Sequence, residues 1–189
     1  MKQAKTLRPE DLKIVLAHVA TRRHATRDRA IVLASFLSGM RAHELASLRL
    51  GDVISESGRL RDEINLEASQ TKGNRARRVF INGKLKKEFG SYIKAVCADC
   101  KPFDPLFRSQ KRRSFNANTM CQLFLCIYAS CGLKGASSHS GRRTFITNLA
   151  NRSISIRVLA VLAGHSSIST TQRYVDVNDT QLRNAVELA

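Results

Sequence analysis

Residues 64–81 read INLEASQTKGNRARRVFI, and this stretch decides the fold class. Apolar residues alternate with polar ones at both of its ends: Ile64, Leu66, Ala68, Val79 and Ile81. This period of two is typical of half-buried strands. Between the two runs, Gly73-Asn74 is a hairpin-turn signal. The pattern predicts a small antiparallel sheet over about residues 53–81.

Elsewhere the apolar spacing is helical. Pro9 with acidic residues directly after it marks a helix start, because proline suits the first helical position. Ser38-Gly39 breaks the second helix. Further helices are predicted over about residues 28–37, 41–50, 84–96, 116–131, 140–151, 155–162, 168–174 and 178–188. The sequence therefore predicts an α+β domain that is mainly helical, with one small inserted sheet.

The charge balance indicates the kind of partner. The chain has 189 residues, with 32 Lys and Arg against 15 Asp and Glu, a net charge of +17 and a pI near 10.5. Such an excess favours polyanions, so nucleic acid is the first partner to consider and an anionic membrane surface the second. No apolar run is long enough to span a bilayer and no signal peptide is evident, which predicts a cytoplasmic protein and no membrane partner.

The five cysteines (Cys97, Cys100, Cys121, Cys126 and Cys131) leave two interpretations open. Cys97 and Cys100 form one C-x-x-C pair, which is compatible with zinc. A structural zinc site usually requires a second pair of cysteines at similar spacing, and the sequence contains no such pair. Reduced, partly buried thiols are the alternative, and we expect no metal site.

Four segments carry polar side chains that a plain helical domain does not need. In the first, Arg41 and Glu44 lie one helical turn apart, so Glu44 can fix the arginine for phosphate binding; a surface ion pair is the alternative. The second is the cationic hairpin tip, which either enters a DNA groove or is a solvated turn. It contains Lys72, Arg75, Arg77 and Arg78.

The third segment is His139-Ser140-Gly141-Arg142-Arg143, where His139 and Arg142 share a helix face. The histidine can move a proton and the arginine can bind a phosphate; a local helix cap beside a basic surface is the alternative. In the fourth, Gly164-His165 is followed nine residues after the histidine by Tyr174. A tyrosine is a poor nucleophile unless positive charge surrounds it, so a structural role is the alternative.

Together these segments supply what metal-free phosphoryl transfer requires. Arginines neutralise the non-bridging oxygens, a tyrosine oxygen attacks phosphorus, and an acid protonates the departing oxygen. No acidic cluster suited to two magnesium ions is evident, which disfavours a two-metal nuclease.

With these four segments in this order, the chain resembles the catalytic domain of the tyrosine recombinases, the phage integrase family. The resemblance extends from about residue 7 to residue 177 and covers the ordered pattern Arg…Lys…His-x-x-Arg…His…Tyr, at Arg41, Lys72, His139, Arg142, His165 and Tyr174. Around Arg142 the family commonly has Leu-Arg-His, whereas this chain has Gly141-Arg142-Arg143.

The resemblance implies a role for each of these residues. Tyr174 attacks a DNA phosphate and forms a 3′-phosphotyrosyl link, while Arg41 and Arg142 bind that phosphate. Lys72 is the general acid for the 5′ oxygen, His139 assists proton transfer at the tyrosine and His165 hydrogen-bonds the phosphate. Glu44 supports Arg41. Further DNA contacts are expected from the remaining basic residues of these segments: Arg75, Arg77, Arg78, Arg143 and Arg173.

The resemblance also implies partners. We expect double-stranded DNA as substrate, no cofactor, a protein that is monomeric when free and a homotetramer on paired sites, a nucleoid-associated location, and a tail at 178–189 that docks on a neighbouring protomer. Residues 1–189 are then a single catalytic domain without the N-terminal DNA-clamping domain, either excised or naturally short like the fimbrial phase-variation recombinases. A type IB topoisomerase and a non-catalytic DNA-binding regulator of the same fold are the alternative functions.

Overall fold

The computed structural model describes residues 3–71, 73–97, 99–110, 113–152 and 154–174, together with Leu182, Arg183, Val186 and Glu187. Within these residues the chain forms α-helices and one two-stranded sheet. The helices are α1 (Pro9–Ala20), α2 (Ala25–Ser38), α3 (Ala42–Ser47), α4 (Leu50–Val53), α5 (Gly83–Val96), α6 (Ala117–Ser130), α7 (Ser140–Ala150), α8 (Ile156–Ala163) and α9 (Ile168–Gln172); the strands are β1 (Glu63–Leu66) and β2 (Arg77–Phe80). The predicted mainly helical α+β fold is confirmed.

Helix α2 is the centre of the domain. It packs against α1, α3, α5 and α7, and its residues Ala30, Ile31 and Val32 are fully buried. Against α7 the approach is close, because a Cβ at Gly141 would overlap the side chain of Ser35. The close packing of α2 against α7 therefore fixes the relative position of the residues at the ends of these two helices, where the candidate site lies.

The sheet confirms the alternation seen in the sequence. Strands β1 and β2 are antiparallel, in register from Glu63 opposite Phe80 to Leu66 opposite Arg77. Ile64, Leu66 and Val79 are buried on one face. Gly73 and Asn74 both have positive φ, at 101° and 54°, as a hairpin-turn pair requires.

Two boundaries differ from the prediction. The helix predicted over 41–50 ends at Ser47 and is followed by a separate short helix, α4, and the first strand of the sheet begins at Glu63 instead of near residue 53. The cause is Leu48, which is extended and whose carbonyl accepts a hydrogen bond from the Leu106 backbone N at 2.8 Å. This long-range bond replaces a helical one. The predicted helix over 178–188 lies mostly outside the described residues.

Candidate active site

Arg41 is placed by the end of α2. Gly39 terminates that helix with φ +66°, and a Cβ there would lie 2.6 Å from the ring of Phe145, so only glycine fits this turn. Arg41 follows as the residue that precedes α3. Its backbone N donates to Glu44 Oε2 at 2.7 Å, and its Nη1 donates to Glu44 Oε1 at 2.9 Å. The predicted pairing of Arg41 with Glu44 is present in the structure.

Glu44 joins two arginines. Its side chain is fully buried, and besides Arg41 it accepts from Arg77 Nε at 3.1 Å and Arg77 Nη2 at 2.8 Å. Burial alone would raise the pKa of this carboxyl, but hydrogen bonds and charge from Arg77 and Arg41 outweigh it and hold the pKa below its usual value. Glu44 is therefore an anion that orients two cations.

We expect Glu44→Gln to destabilise the fold by about 3–5 kcal/mol, because it leaves two guanidinium groups without their buried counter-charge. Since the folded-state pKa lies below the usual 4.5, this stabilisation is present above pH 4.5 and is lost as the pH falls through the folded value. Urea titrations at pH 7 measure the loss. The control is Asp62→Asn, which breaks an exposed ion pair with Lys86 and should cost less than about 1 kcal/mol. Equal losses for both variants would contradict the buried-anion role.

Arg142 lies in α7 and is only 3% exposed. Its Nη1 donates to the Gly39 carbonyl at 2.8 Å, and its Nη2 donates to the Ala163 carbonyl. Burial, reinforced by the charges of Arg41 and Arg77, lowers the pKa of Arg142 to about 9. Arg41 and Arg77 share the single carboxylate of Glu44, and Arg142 lies close enough to feel their charges, so a bound anion would add a second counter-charge to this group.

His165 and Tyr174 form the other side of the site. Gly164 ends α8 with φ +61°, and His165 follows it. The His165 Nδ1 lies 2.9 Å from the Thr171 Oγ1, and the imidazole stacks on the Tyr174 ring with centroids 5.7 Å apart and planes 23° apart. Burial and the positive charges of Arg142, Arg41 and Arg77 lower the pKa of His165 to about 4, so the ring is neutral at pH 7.

Two adjoining cavities contain most of the predicted residues. A cavity of about 380 Å³ is lined by Arg41, Arg75, Arg77 and His165 and by Thr71 and Gly73, which flank Lys72 in the chain. A second, of about 540 Å³, is lined by His139, Arg143, Arg173 and Tyr174. Thr170 lines both, so the cavities meet at α9. Lys72 itself lies outside the described residues.

The remaining predicted DNA contacts fall into two groups. Arg75, Arg78 and Arg173 are exposed, as a contact to a large partner requires. Arg143 instead faces the N-terminal segment: its Nε donates to Thr6 Oγ1 at 3.0 Å, its Nη1 bonds to Gln3, and its guanidinium lies 5.4 Å from the centre of the Tyr174 ring. This position of the Arg143 side chain favours a contact with the Tyr174 ring over a contact with DNA.

Two site features are not apparent from the sequence. Thr171 is fully buried against His165, although its position within Thr170-Thr171-Gln172 carries no signal that separates it from its neighbours. Arg77 pairs with Glu44, whereas the sequence groups it with the other hairpin arginines. A third cavity, of about 660 Å³, lies near the other end of α2 around His24 and Arg27, and none of the predicted site residues lines it.

The described residues can also be compared with what a metal site, a disulfide framework and a membrane span require. No group of three or more His, Cys, Asp or Glu side chains among them is arranged to hold a metal ion. The five cysteines are unpaired. In that same part of the chain, no helix combines the length and apolar character that crossing a membrane requires.

The fold and the site define a mainly helical domain in which arginines, histidines and a tyrosine line two adjoining cavities. Comparison with known families is consistent with this description: the model of the phage integrase family matches residues 5–181. The chain belongs to the phage integrase family.

Similar proteins and solved structures agree with this family assignment. The chain is 29% identical over 185 residues to the tyrosine recombinase XerA of Pyrococcus furiosus, covering 98% of this chain and 62% of that protein. It is 31% identical over 164 residues to the tyrosine recombinase XerC of Caldanaerobacter subterraneus subsp. tengcongensis, covering 85% of this chain and 44% of that one. The chain thus spans between 44% and 62% of the length of these two relatives.

The crystal structure of a XerA recombinase is similar over 99% of this chain and 66% of its own, with a TM-score of 0.77 and 26% identity. The Tn1549 transposon integrase in complex with circular intermediate DNA matches 100% of this chain and 68% of its own, with a TM-score of 0.76 and 20% identity. At 20% identity, the similarity to the Tn1549 integrase shows a shared fold and nothing further.

Proposed function

We propose that this chain is the catalytic part of a site-specific recombinase that cuts and rejoins double-stranded DNA through a 3′-phosphotyrosyl intermediate. The observation that carries the proposal is the convergence of Arg41, Arg142, His165 and Tyr174. Arg41, Arg142 and His165 lie close together beside a cluster of arginines whose buried counter-charge is Glu44, and the tyrosine ring stacks on the histidine. A phosphodiester supplies the anion that such a site lacks, and the tyrosine supplies a nucleophile.

The proposed step conserves atoms and charge. The Tyr174 Oη attacks phosphorus, a new phosphorus–oxygen bond forms, and the bond between phosphorus and the 5′ oxygen breaks. His139 accepts the phenol proton, and Lys72 donates a proton to the departing 5′ oxygen. Arg41 and Arg142 stabilise the charge that builds on the non-bridging oxygens. The reverse step, with a 5′-hydroxyl from another strand, joins the exchanged strands without ATP or a metal.

Double-stranded DNA is the proposed partner, and the net charge of +17 supports it. Strand exchange requires two sites and therefore four protomers; we propose a homotetramer on paired sites and a monomer when free. The segment 178–189 is proposed to dock on a neighbouring protomer. Its described residues Leu182 and Val186 are 55% and 74% exposed, so they offer apolar surface for such a contact.

The proposal is tested by covalent trapping. Nicked duplexes drawn from the DNA that flanks the gene, and a randomised pool, are incubated with the protein at low salt with EDTA. We expect a protein–DNA adduct that survives SDS and a shared sequence among the trapped duplexes. Adducts without sequence preference, together with relaxation of any supercoiled plasmid, would indicate a topoisomerase instead. DNA binding without any adduct would indicate a regulator.

Lys72→Ala should slow cleavage of ordinary DNA about 10²–10⁴-fold, the usual range for loss of a general acid. A substrate with sulfur in place of the bridging 5′ oxygen should be cleaved by this variant at nearly the wild-type rate, because a thiolate leaves without a proton. Single-turnover assays measure both rates, and Lys84→Ala, an exposed lysine of α5, is the control. Equal defects on both substrates would contradict the acid role.

His165 should act as a neutral hydrogen-bond donor. The Thr171 hydroxyl can donate to Nδ1, which leaves the ring proton on Nε2 for a phosphate oxygen. With a pKa of about 4, His165 does not change charge between pH 5.5 and 8. The ratio of cleavage rates of wild type and His165→Gln should therefore stay constant across that range. A ratio that changes around pH 6–7 would show that the imidazole titrates there.

A further inference from the structure

The C-terminal end of α8 binds three arginines. The last carbonyls of a helix have no intrahelical donor. Here Leu162 O accepts from Arg77 Nη1 at 2.9 Å, the Ala163 carbonyl accepts from Arg142 Nη2, and Gly164 O accepts from Arg41 Nη2 at 3.2 Å. The arginines come from β2, from α7 and from the residue before α3. Three consecutive carbonyls thus connect three separate parts of the chain, directly before His165.

Arg77 lies at the centre of this arrangement. Besides Leu162, its guanidinium donates to both carboxylate oxygens of Glu44, and its side chain is only 9% exposed. A Cβ at Gly164 would lie 2.6 Å from Arg77 Cδ, so the arginine stem occupies the space that this glycine leaves open. Arg77 therefore packs inside the site, whereas its neighbour Arg78 has a side chain 66% exposed.

We infer that Arg77 is a positioning residue, which locks the last turn of α8 to Glu44 and so fixes Arg41, Arg142 and His165 relative to one another. This inference rests on the proposed function for its catalytic consequence. It replaces the direct DNA contact expected for Arg77 from its place among the hairpin arginines.

The electrostatics explain why such a lock is needed. Arg41, Arg77 and Arg142 bring three positive charges close together, with Glu44 as their buried counter-charge. The partial negative charge at the C-terminus of α8 offsets part of the remaining repulsion. Without Arg77, Leu162 O loses its donor and Glu44 retains Arg41 alone. The turn that carries Gly164 and His165 then keeps only the hydrogen bonds from Arg142 and Arg41 and is held less firmly. Removal of Arg77 should therefore lower the rate of the chemical step and leave DNA affinity unchanged.

Adjacent arginines of β2 provide a matched pair of variants. Arg77→Gln and Arg78→Gln each remove one positive charge from the same strand. We expect Arg77→Gln to lower the single-turnover cleavage rate at saturating DNA about 10²-fold, the scale for a displacement of about 1 Å among the reacting groups. Its DNA affinity should stay within about twofold of wild type at low salt, because no phosphate contact is lost. Arg78→Gln should instead weaken DNA binding and reduce the salt slope of binding by about one, because an exposed arginine of the hairpin loses a phosphate contact.

Arg77→Lys separates position from charge. A lysine keeps the positive charge but lacks the planar fork that reaches Leu162 and both Glu44 oxygens together. We expect this variant to remain at least tenfold slow in cleavage. Recovery of the wild-type rate by lysine, or weakened affinity with a normal saturating rate in Arg77→Gln, would overturn the inference.

A second measurement does not depend on activity. Nuclear magnetic resonance titration of His165 should give a pKa near 4 in wild type and in Arg78→Gln, and a higher value in Arg77→Lys, where the turn loosens although the charge is kept. An unchanged value in a folded Arg77→Lys would overturn the inference. If the wild type forms no DNA adduct, the proposed function fails, and this titration still tests the position of Arg77.

Discussion

Tyr174→Phe should abolish covalent attachment to DNA while DNA affinity stays within about twofold of wild type, because only a nucleophilic oxygen is removed. The phenyl ring can still stack on His165 at the observed 5.7 Å, so the local packing is kept. Suicide duplexes resolved by SDS gel electrophoresis measure the adduct, and fluorescence anisotropy measures binding.

The matched control is Tyr128→Phe. The Tyr128 hydroxyl is buried and has no hydrogen-bond partner among the described residues, so its removal should leave both cleavage and affinity unchanged. An adduct of normal yield from Tyr174→Phe would show that another residue is the nucleophile, and it would overturn the proposed mechanism.

Arg142→Ala should slow cleavage about 10²–10³-fold, the effect of removing one donor that stabilises transition-state charge. Arg142 is 3% exposed and donates to the carbonyls of Gly39 and Ala163, so its loss also leaves two carbonyls without their donor. The variant should therefore unfold at lower denaturant concentration as well, by an amount on the order of 1–3 kcal/mol for each unsatisfied group.

Arg152→Ala is the control for charge. Arg152 follows α7 and is exposed, and its substitution by alanine removes the same single positive charge from the protein. It should leave the cleavage rate at saturating DNA unchanged. A rate for folded Arg142→Ala within about threefold of wild type would show that this arginine does not bind the reacting phosphate.

Local patterns in the sequence determine most of the fold. The start of α1 at Pro9, the break at Gly39 and the alternation at Ile64 and Leu66 depend on a few neighbouring residues, and the structure confirms them. The separation of α3 from α4 depends instead on a hydrogen bond between Leu48 and Leu106. No local pattern reports a contact between residues so far apart in the chain.

The site shows the same division. Arg41 and Glu44 lie within one turn, so their pairing could be predicted from spacing. The resemblance of the ordered motif to the family pattern predicts Arg142, His165 and Tyr174 as site residues, and the structure brings them close together. Alternation along β2 places Arg77 on the same face as the buried Val79. Its contact with Glu44 could not be predicted, because the two residues lie 33 positions apart in the chain.

The most direct test of the central claim is to identify the amino acid that becomes attached to DNA. The adduct trapped on a suicide duplex is digested with nuclease and protease and analysed by tandem mass spectrometry. We expect a peptide in which Tyr174 carries a 3′-linked nucleotide phosphate. A nucleotide on any other residue, or no modified peptide from DNA that the protein demonstrably cleaves, would contradict the account.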